Sequence, residues 1–572
     1  MKKISRGDYL KLYEKWRDRK KSGQKCFLLW RKLDNVATIY PCMVKNDNKN
    51  IFRVGAVLKE TVDKALLQEA LEITLDQNEF FKVKLEKGFF WYYFEKNDRK
   101  PLIVEESYQP QENNIKHYSD NQDFLFRVTY YGNRINLEVF HAITDGTGAS
   151  HFLNCLLDQY FFLQGMENKP RSEELLFKEI QTEDSYKKRY HKRKTKLQSA
   201  KLSPAYRLKG KKLLKGFYNI FEIRLNIKHL KEVCKRKEVT ATQYLVAHII
   251  QAILEQDKSL NKNNKIRICI PVNMRRYLES NTPANFFSYF FVEIDRNKNY
   301  AHFDDLLLEV KREFDLKLQK ELLVSQVSSQ VRLQKNLLVR LLPLWWKNKI
   351  ILTASKLAFR SSTMIVSNLG QITVNDSYRH QLQEFQFTLD VHEQEPIKCG
   401  ICSCGEDMLI NFSSILIDKN LQQLFVSNLK KEGIDCTVQE EYEKNESFKI
   451  VQIKNKSFGM KLNKLLLGSI VLLITVGSHL DPTKIVSSIS VPSSISILLI
   501  AQLIIMQLVE HKWGYYITSQ IFLSVLGVIP FINSTIGNET LLLPSFICFI
   551  IAGISCLLLF KYKTFIRPKV YI

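Results

Sequence analysis

The N-terminal stretch of this 572-residue chain, MKKISRGDYLKLYEKWRDRKKSGQ, is basic but has no apolar run and no small-residue cleavage site. A secretory signal peptide is therefore not expected there. Cysteines are few, eleven in all, and are scattered through apolar surroundings, as at Cys155, Cys234 and Cys269. That usage excludes a disulfide scaffold and fits reduced thiols in a cytosolic domain. No short-period repeat is visible. Lys plus Arg exceed Asp plus Glu by 84 − 59 = 25, yet no nucleic-acid-binding motif accompanies the surplus. The charge thus points to a phosphorylated small molecule or an acidic membrane surface, and no nucleic-acid partner is expected. Acidic residues are missing altogether from KKRYHKRKTKLQSAKLSPAYRLKGKKLLK (187–215). We read 166–216 as a basic crossover linker, with an anionic lipid surface and the phosphates of a small molecule as alternative uses for its charge.

Long apolar runs are confined to the C-terminal part. Four of them follow one another at about 465–480, 489–509, 513–532 and 541–560, each near the roughly 20 residues that cross a bilayer. Residues 460–572 are expected to form an all-α membrane domain of four transmembrane helices. Lys454, Lys456, Lys461 and Lys464 precede these runs, and Lys561, Lys563, Arg567 and Lys569 follow them, whereas NSTIGNET between the last two carries no basic residue. Both ends are accordingly expected on the cytoplasmic side of the cell membrane. No ionisable residue lies in mid-span, so the bundle reads as an anchor and not as a transport path.

The rest of the chain alternates strand and helix patterns, which predicts an α/β fold. FLFRVTYYGNRINLEVF (124–140) reads as two strands about a Gly132-Asn133 turn, with Ile135, Leu137 and Val139 on one face. ASHFLNCLLDQYFFL (149–163) has helical spacing. FHAITDGTG (140–148) therefore occupies a strand-to-helix connection. After the basic crossover the pattern resumes: a strand at 217–227, a helix at 240–256 with a Thr240/Gln243 capping box, strands at 265–276 and 285–295, a long amphipathic helix near 302–335, and strands at 363–372 and 397–415. Two similar halves are expected, 1–165 and 217–450.

In FHAITDGTG, His141 at a strand end is placed to act as general base toward a hydroxyl or amine. Asp145 need not touch substrate; paired with a basic group it locks the turn, while Gly146 permits a tight backbone path. Gly146 and Gly148 lack the third glycine and the lysine of a phosphate loop. Cys399, Cys402 and Cys404 have no fourth ligand and no loop, so no metal site is expected. PLWWK (343–347) places Trp345 and Trp346 either at a membrane interface or in buried packing.

His141-Ala-Ile-Thr-Asp145-Gly146 resembles the active-site motif of the chloramphenicol acetyltransferase-like (HxxxDG) acyltransferase superfamily. WRKLDNVATIYP (30–41), GFFWYYFEKND (88–98), PVNMRR (271–276) and SNLG (367–370) fit in the same order. The match is most similar to bacterial alcohol acetyltransferase-like proteins, over about residues 28–445. The resemblance implies two chloramphenicol acetyltransferase-like halves forming a monomeric pseudo-dimer with a tunnel between them, followed here by the transmembrane bundle. It further implies O-acyl transfer, of an acetyl group in that branch, from acyl-CoA as co-substrate to an alcohol or lipid acceptor. His141 would be the base and Arg275 the partner of Asp145; Asn285, Ser288, Ser367 and Asn368 would be oxyanion or substrate contacts. No permanently bound cofactor is implied. A D-F-G-W-G motif is absent, and Phe140 stands where condensation domains carry a second histidine. The alternatives are condensation-type transfer from a carrier protein and a catalytically inactive membrane-bound interaction module.

Overall fold

The computed structural model describes residues 30–44, 50–106, 121–166, 184–188, 203–214, 217–256 and 265–444, with Ser496, Ile547, Ile550 and Ile551 beyond them. The chain divides into two compact units, Met1–Gln452 and Ile453–Ile572. The four apolar runs, the lysines around them and most of the basic crossover lie outside the described residues. Among the described residues no helix is long and apolar enough to cross a membrane.

The first unit is mixed α/β. Its strands are β1 (Trp30–Lys32), β2 (Ile51–Leu58), β3 (Val83–Lys87), β4 (Tyr92–Lys96), β5 (Val104–Glu105), β6 (Phe126–Tyr131), β7 (Arg134–Phe140), β8 (Phe217–Asn226), β9 (Ile266–Asn273), β10 (Phe287–Ile294), β11 (Met364–Gln371), β12 (Leu382–Leu389), β13 (Ile397–Cys404), β14 (Asp407–Ser414) and β15 (Cys436–Lys444). They form a small sheet β1-β4-β3, a five-stranded sheet β12-β2-β7-β6-β5 and a seven-stranded sheet β10-β9-β11-β13-β14-β8-β15.

Two hairpins follow directly from alternation and glycine. β6 and β7 pair antiparallel from Tyr131↔Arg134, leaving Gly132 and Asn133 as the turn. Gly132 has φ +55, a left-handed conformation that a side chain disfavours. β13 and β14 pair from Cys404↔Asp407 about Gly405 at φ +63. Cys399, Cys402 and Cys404 are buried on β13 as free thiols. Burial pushes all three up in pKa, which favours inert thiols over metal ligands. Among the described residues no cluster suited to a metal ion occurs.

β7 is a central strand buried on both faces. Ile135, Leu137 and Val139 pack on the apolar side, while Glu138 on the other side is gripped by Arg53 at 2.6 Å and by Arg127. A buried carboxylate between two guanidiniums is tolerable because each desolvated charge is paired.

Two expectations need correction. The span 217–450 is not one self-contained half: β12 leaves it and pairs antiparallel with β2, completing the first half's sheet. The chain then returns to β13, which lies parallel to β11. The long helix near 302–335 is two helices, Phe303–Lys317 and Lys320–Lys335, interrupted at Leu318–Gln319. The seven-stranded sheet covers a large apolar core including Ile268, Val366, Ile401 and Phe412.

Candidate active site

β7 ends at Phe140, and His141 follows where the ladder stops; its N–H still donates to the Asn50 carbonyl at 2.9 Å. The chain then turns, and Asp145 caps the helix Gly146–Leu163. One carboxylate oxygen of Asp145 accepts from the Gly148 N–H at 3.1 Å. The other accepts from Arg275 Nη1 at 2.8 Å and from the Phe286 N–H at 2.9 Å. Arg275 spends its other donors on the carbonyls of Thr282, at 3.0 Å, and Ala284. Asp145 thus bonds the end of β7 to the β9–β10 connection, and its charge is fully committed to that joint.

The two glycines are needed for space, and neither has a positive φ. A Cβ on Gly148 would lie 2.0 Å from Thr144 Oγ1 and 2.7 Å from the Pro283 carbonyl oxygen. A Cβ on Gly146 would clash only with the end of the Leu369 side chain, at 2.5 Å, and would touch Phe387 at an ordinary 3.6 Å. Gly148 is therefore the more constrained of the pair. The tight-turn role assigned to Gly146 is corrected to one of close approach by β11.

His141 is half-buried among three rings and one amide. Tyr40 stacks on its ring at 4.5 Å between centroids, and Phe52 and Phe287 stand at 4.9 and 5.6 Å. Nδ1 lies 3.1 Å from Asn285 Oδ1. The Asn285 amide nitrogen donates to the His141 carbonyl at 3.0 Å and to Asp34 Oδ2 at 3.2 Å. Since both neighbours of that nitrogen are acceptors, the amide orientation is settled by its surroundings. Oδ1 then faces Nδ1, so Nδ1 carries the proton and Nε2 holds the free lone pair. Burial lowers the His141 pKa; a hydrogen bond to its own carbonyl, the Asp145 charge and Asn285 pull the other way, and Lys398 adds to the lowering. A neutral imidazole at neutral pH, with a fixed tautomer, is suited to accept a proton.

The resemblance implies an oxyanion or substrate contact for Asn285, but its amide hydrogens are engaged by Asp34 and the His141 carbonyl. Asp34 anchors it, accepting also from the Asn285 N–H at 3.3 Å and the Ala37 N–H at 2.7 Å. Burial raises the Asp34 pKa to about 7, against these hydrogen bonds and Arg31. Ser288 donates to Gln326 Oε1 at 2.8 Å. Asn368 donates to Thr242 Oγ1 at 3.0 Å and accepts from the Gly370 N–H. Ser367, half-buried beside Gly400 on the parallel pair β11/β13, sits one residue before Asn368. The structure thus gathers His141, Asp145, Gly146, Arg275 and Asn285 into one cluster. Sequence reasoning missed Asp34 and Tyr40, which lie within WRKLDNVATIYP and had no assigned role.

No family model matches the chain, and no curated protein matches it. Solved structures do. TRI101 of F. sporotrichioides, complexed with coenzyme A and T-2, superposes with a TM-score of 0.50 at 9% identity, over 71% of this chain and 99% of that one. TRI101 of F. graminearum, complexed with coenzyme A and T-2 mycotoxin, gives 0.50 at 9% identity over 72% and 100%. The mixed α/β fold therefore matches that of these two proteins. At such identity the likeness concerns the fold.

Proposed function

We propose that this protein is an O-acyltransferase that moves an acyl group from acyl-CoA to an alcohol hydroxyl, with His141 as general base. The observation that carries this reading is the pairing of His141 Nδ1 with Asn285 Oδ1, which leaves Nε2 unprotonated. Nε2 takes the proton of the acceptor hydroxyl as its oxygen attacks the thioester carbonyl. The C–S bond then breaks, and the imidazolium returns its proton to the departing CoA thiolate. No acyl-enzyme is required. Asp145 and Arg275 act as a joint and not as proton carriers, because the carboxylate is occupied by Arg275, Phe286 and Gly148. Ser367 is the remaining candidate for a side-chain oxyanion donor. CoA as donor is supported by the shared fold with proteins crystallised with coenzyme A.

Residues 460–572 serve in this reading as a four-helix membrane domain with the catalytic unit and C-terminus on the cytoplasmic side, and the acceptor is a lipid or glycolipid headgroup. The apolar runs and the flanking lysines support it. Membranes containing the full chain, incubated with labelled acetyl-, malonyl- and long-chain acyl-CoA, should yield one class of O-acylated lipid resolved by mass. Transfer only to a soluble alcohol would remove the lipid acceptor. Transfer only from a carrier-bound acyl group would favour a condensation-type reaction.

A further inference from the structure

From Leu322 to Asn375 the chain has no acidic residue, while it carries Arg332, Lys335, Arg340, Lys347, Lys349, Lys356 and Arg360. The middle of this stretch is the helix Leu344–Arg360. Its inner face is seated: the Leu344 N–H donates to the Phe89 carbonyl at 2.8 Å, Lys347 Nζ to the Phe90 carbonyl at 3.0 Å, and Asn348 to the Tyr92 hydroxyl at 2.9 Å. The opposite face is apolar and open. Trp346, Ile350 and Leu357, at i, i+4 and i+11, are 46%, 52% and 61% exposed. Such spacing lines them up along one side of a helix. Trp345, Lys349, Lys356 and Arg360 form the adjoining stripe, and Leu337 and Leu341 extend the apolar strip through the preceding helix Leu337–Leu341. Trp345 and Trp346 stack at 4.6 Å, with Lys349 Nζ 5.7 and 5.5 Å from their ring centroids.

We propose that this face is a docking surface for an anionic lipid bilayer. Three features select that occupant. An apolar strip with tryptophans beside a row of cations is the pattern of a helix lying in the membrane interface, where rings sit at headgroup level and lysines reach the phosphates. Lys349, Lys356 and Arg360 make no ion pair with a described carboxylate, so their charge is available to anionic headgroups. A second copy on the same face would oppose cations to cations with no carboxylate between them, which disfavours a symmetric dimer. The seat of the helix also joins the surface to the site, because it packs against the short helix Tyr40–Met43, and Tyr40 stacks on His141. A lipid held there would lie one structural layer from the imidazole.

The full chain is reconstituted into vesicles of phosphatidylcholine alone and of phosphatidylcholine with an equal amount of phosphatidylglycerol, each with brominated acyl chains. Quenching due to the tryptophan pair is the difference between the wild type and Trp345→Phe/Trp346→Phe. The expected result is a pair-specific quenching in anionic vesicles that is weak in neutral ones and lost in Lys349→Glu/Lys356→Glu/Arg360→Glu. Far-ultraviolet circular dichroism checks that both variants stay folded. Equal quenching in the two vesicle types, or none in either, would overturn the proposal. So would protection of the pair from acrylamide in lipid-free detergent: if independent of protein concentration, another segment of the chain covers the face, and if dependent on it, a second copy does.

Discussion

Asn285 Oδ1 lies 3.1 Å from His141 Nδ1, across 144 residues of sequence, and the same side chain's nitrogen is tied to Asp34. A residue from the second half therefore sets which imidazole nitrogen is free in the first. Asn285→Ala should lower kcat by roughly 10- to 100-fold with little change in KM for acyl-CoA, by analogy with metal-bound histidines that lose the partner orienting them. Nitrogen NMR of His141 should show mixed tautomers in the variant and one in the wild type. A single unchanged tautomer together with unchanged kcat would remove Asn285 from the mechanism.

Asp145 and Arg275 meet at 2.8 Å in a largely buried pair. Removing one member leaves the other charge unpaired, typically at a cost of about 3–5 kcal/mol. Asp145→Ala and Arg275→Ala should each destabilise the protein to denaturant, and the double variant should lose much less than the sum. Additive losses would mean that the two are not coupled. A stable but inactive Asp145→Asn would point instead to direct proton transfer.

Gly148→Ala should destabilise more than Gly146→Ala. The first Cβ would strike Thr144 and the Pro283 backbone; the second strikes only the end of Leu369, which can rotate. Overpacking of the first kind costs about 1–3 kcal/mol. Thermal unfolding of both variants checks the order, which a larger loss at Gly146 would reverse.

Much of this site was legible in order and spacing. Asp145 and Arg275, 130 residues apart, meet in an ion pair, and the turn at Gly132 follows from alternation broken by glycine. What was not legible is long-range. LQEFQFTL of β12 alternates like any strand, and nothing in it says that its partner is β2 rather than a neighbour in its own half. Asp34 and Asn285 are 251 residues apart, and their pairing leaves no local periodicity. The split of the helix near 318 is likewise decided by packing: Leu318 is drawn toward the apolar core, and its N–H caps the first helix on the Phe314 carbonyl.

Glu138 gives the fold an acid-side limit. Burial opposes its ionisation, but Arg127 and Arg53 hold its carboxyl down at about 2, below the ordinary 4.5. A folded pKa below the unfolded one means that the stabilisation is present above about pH 4.5 and is lost as pH falls toward 2. Glu138→Gln should therefore be less stable than the wild type at pH 7, and the gap should narrow progressively between pH 4.5 and 2. A gap that does not change with pH would show that charge is not its origin.

The most direct measurement is the single-turnover rate of acyl transfer from acyl-CoA by the wild type and by His141→Ala, followed across pH. His141→Ala should be slower by roughly 10²- to 10⁴-fold, the usual worth of a positioned base. Because burial lowers the imidazole pKa, the wild-type rate should hold through mildly acidic pH and fall only below 6.5, a fall absent from the variant. Undiminished transfer by His141→Ala, with the same pH profile as the wild type, would contradict His141 as the base.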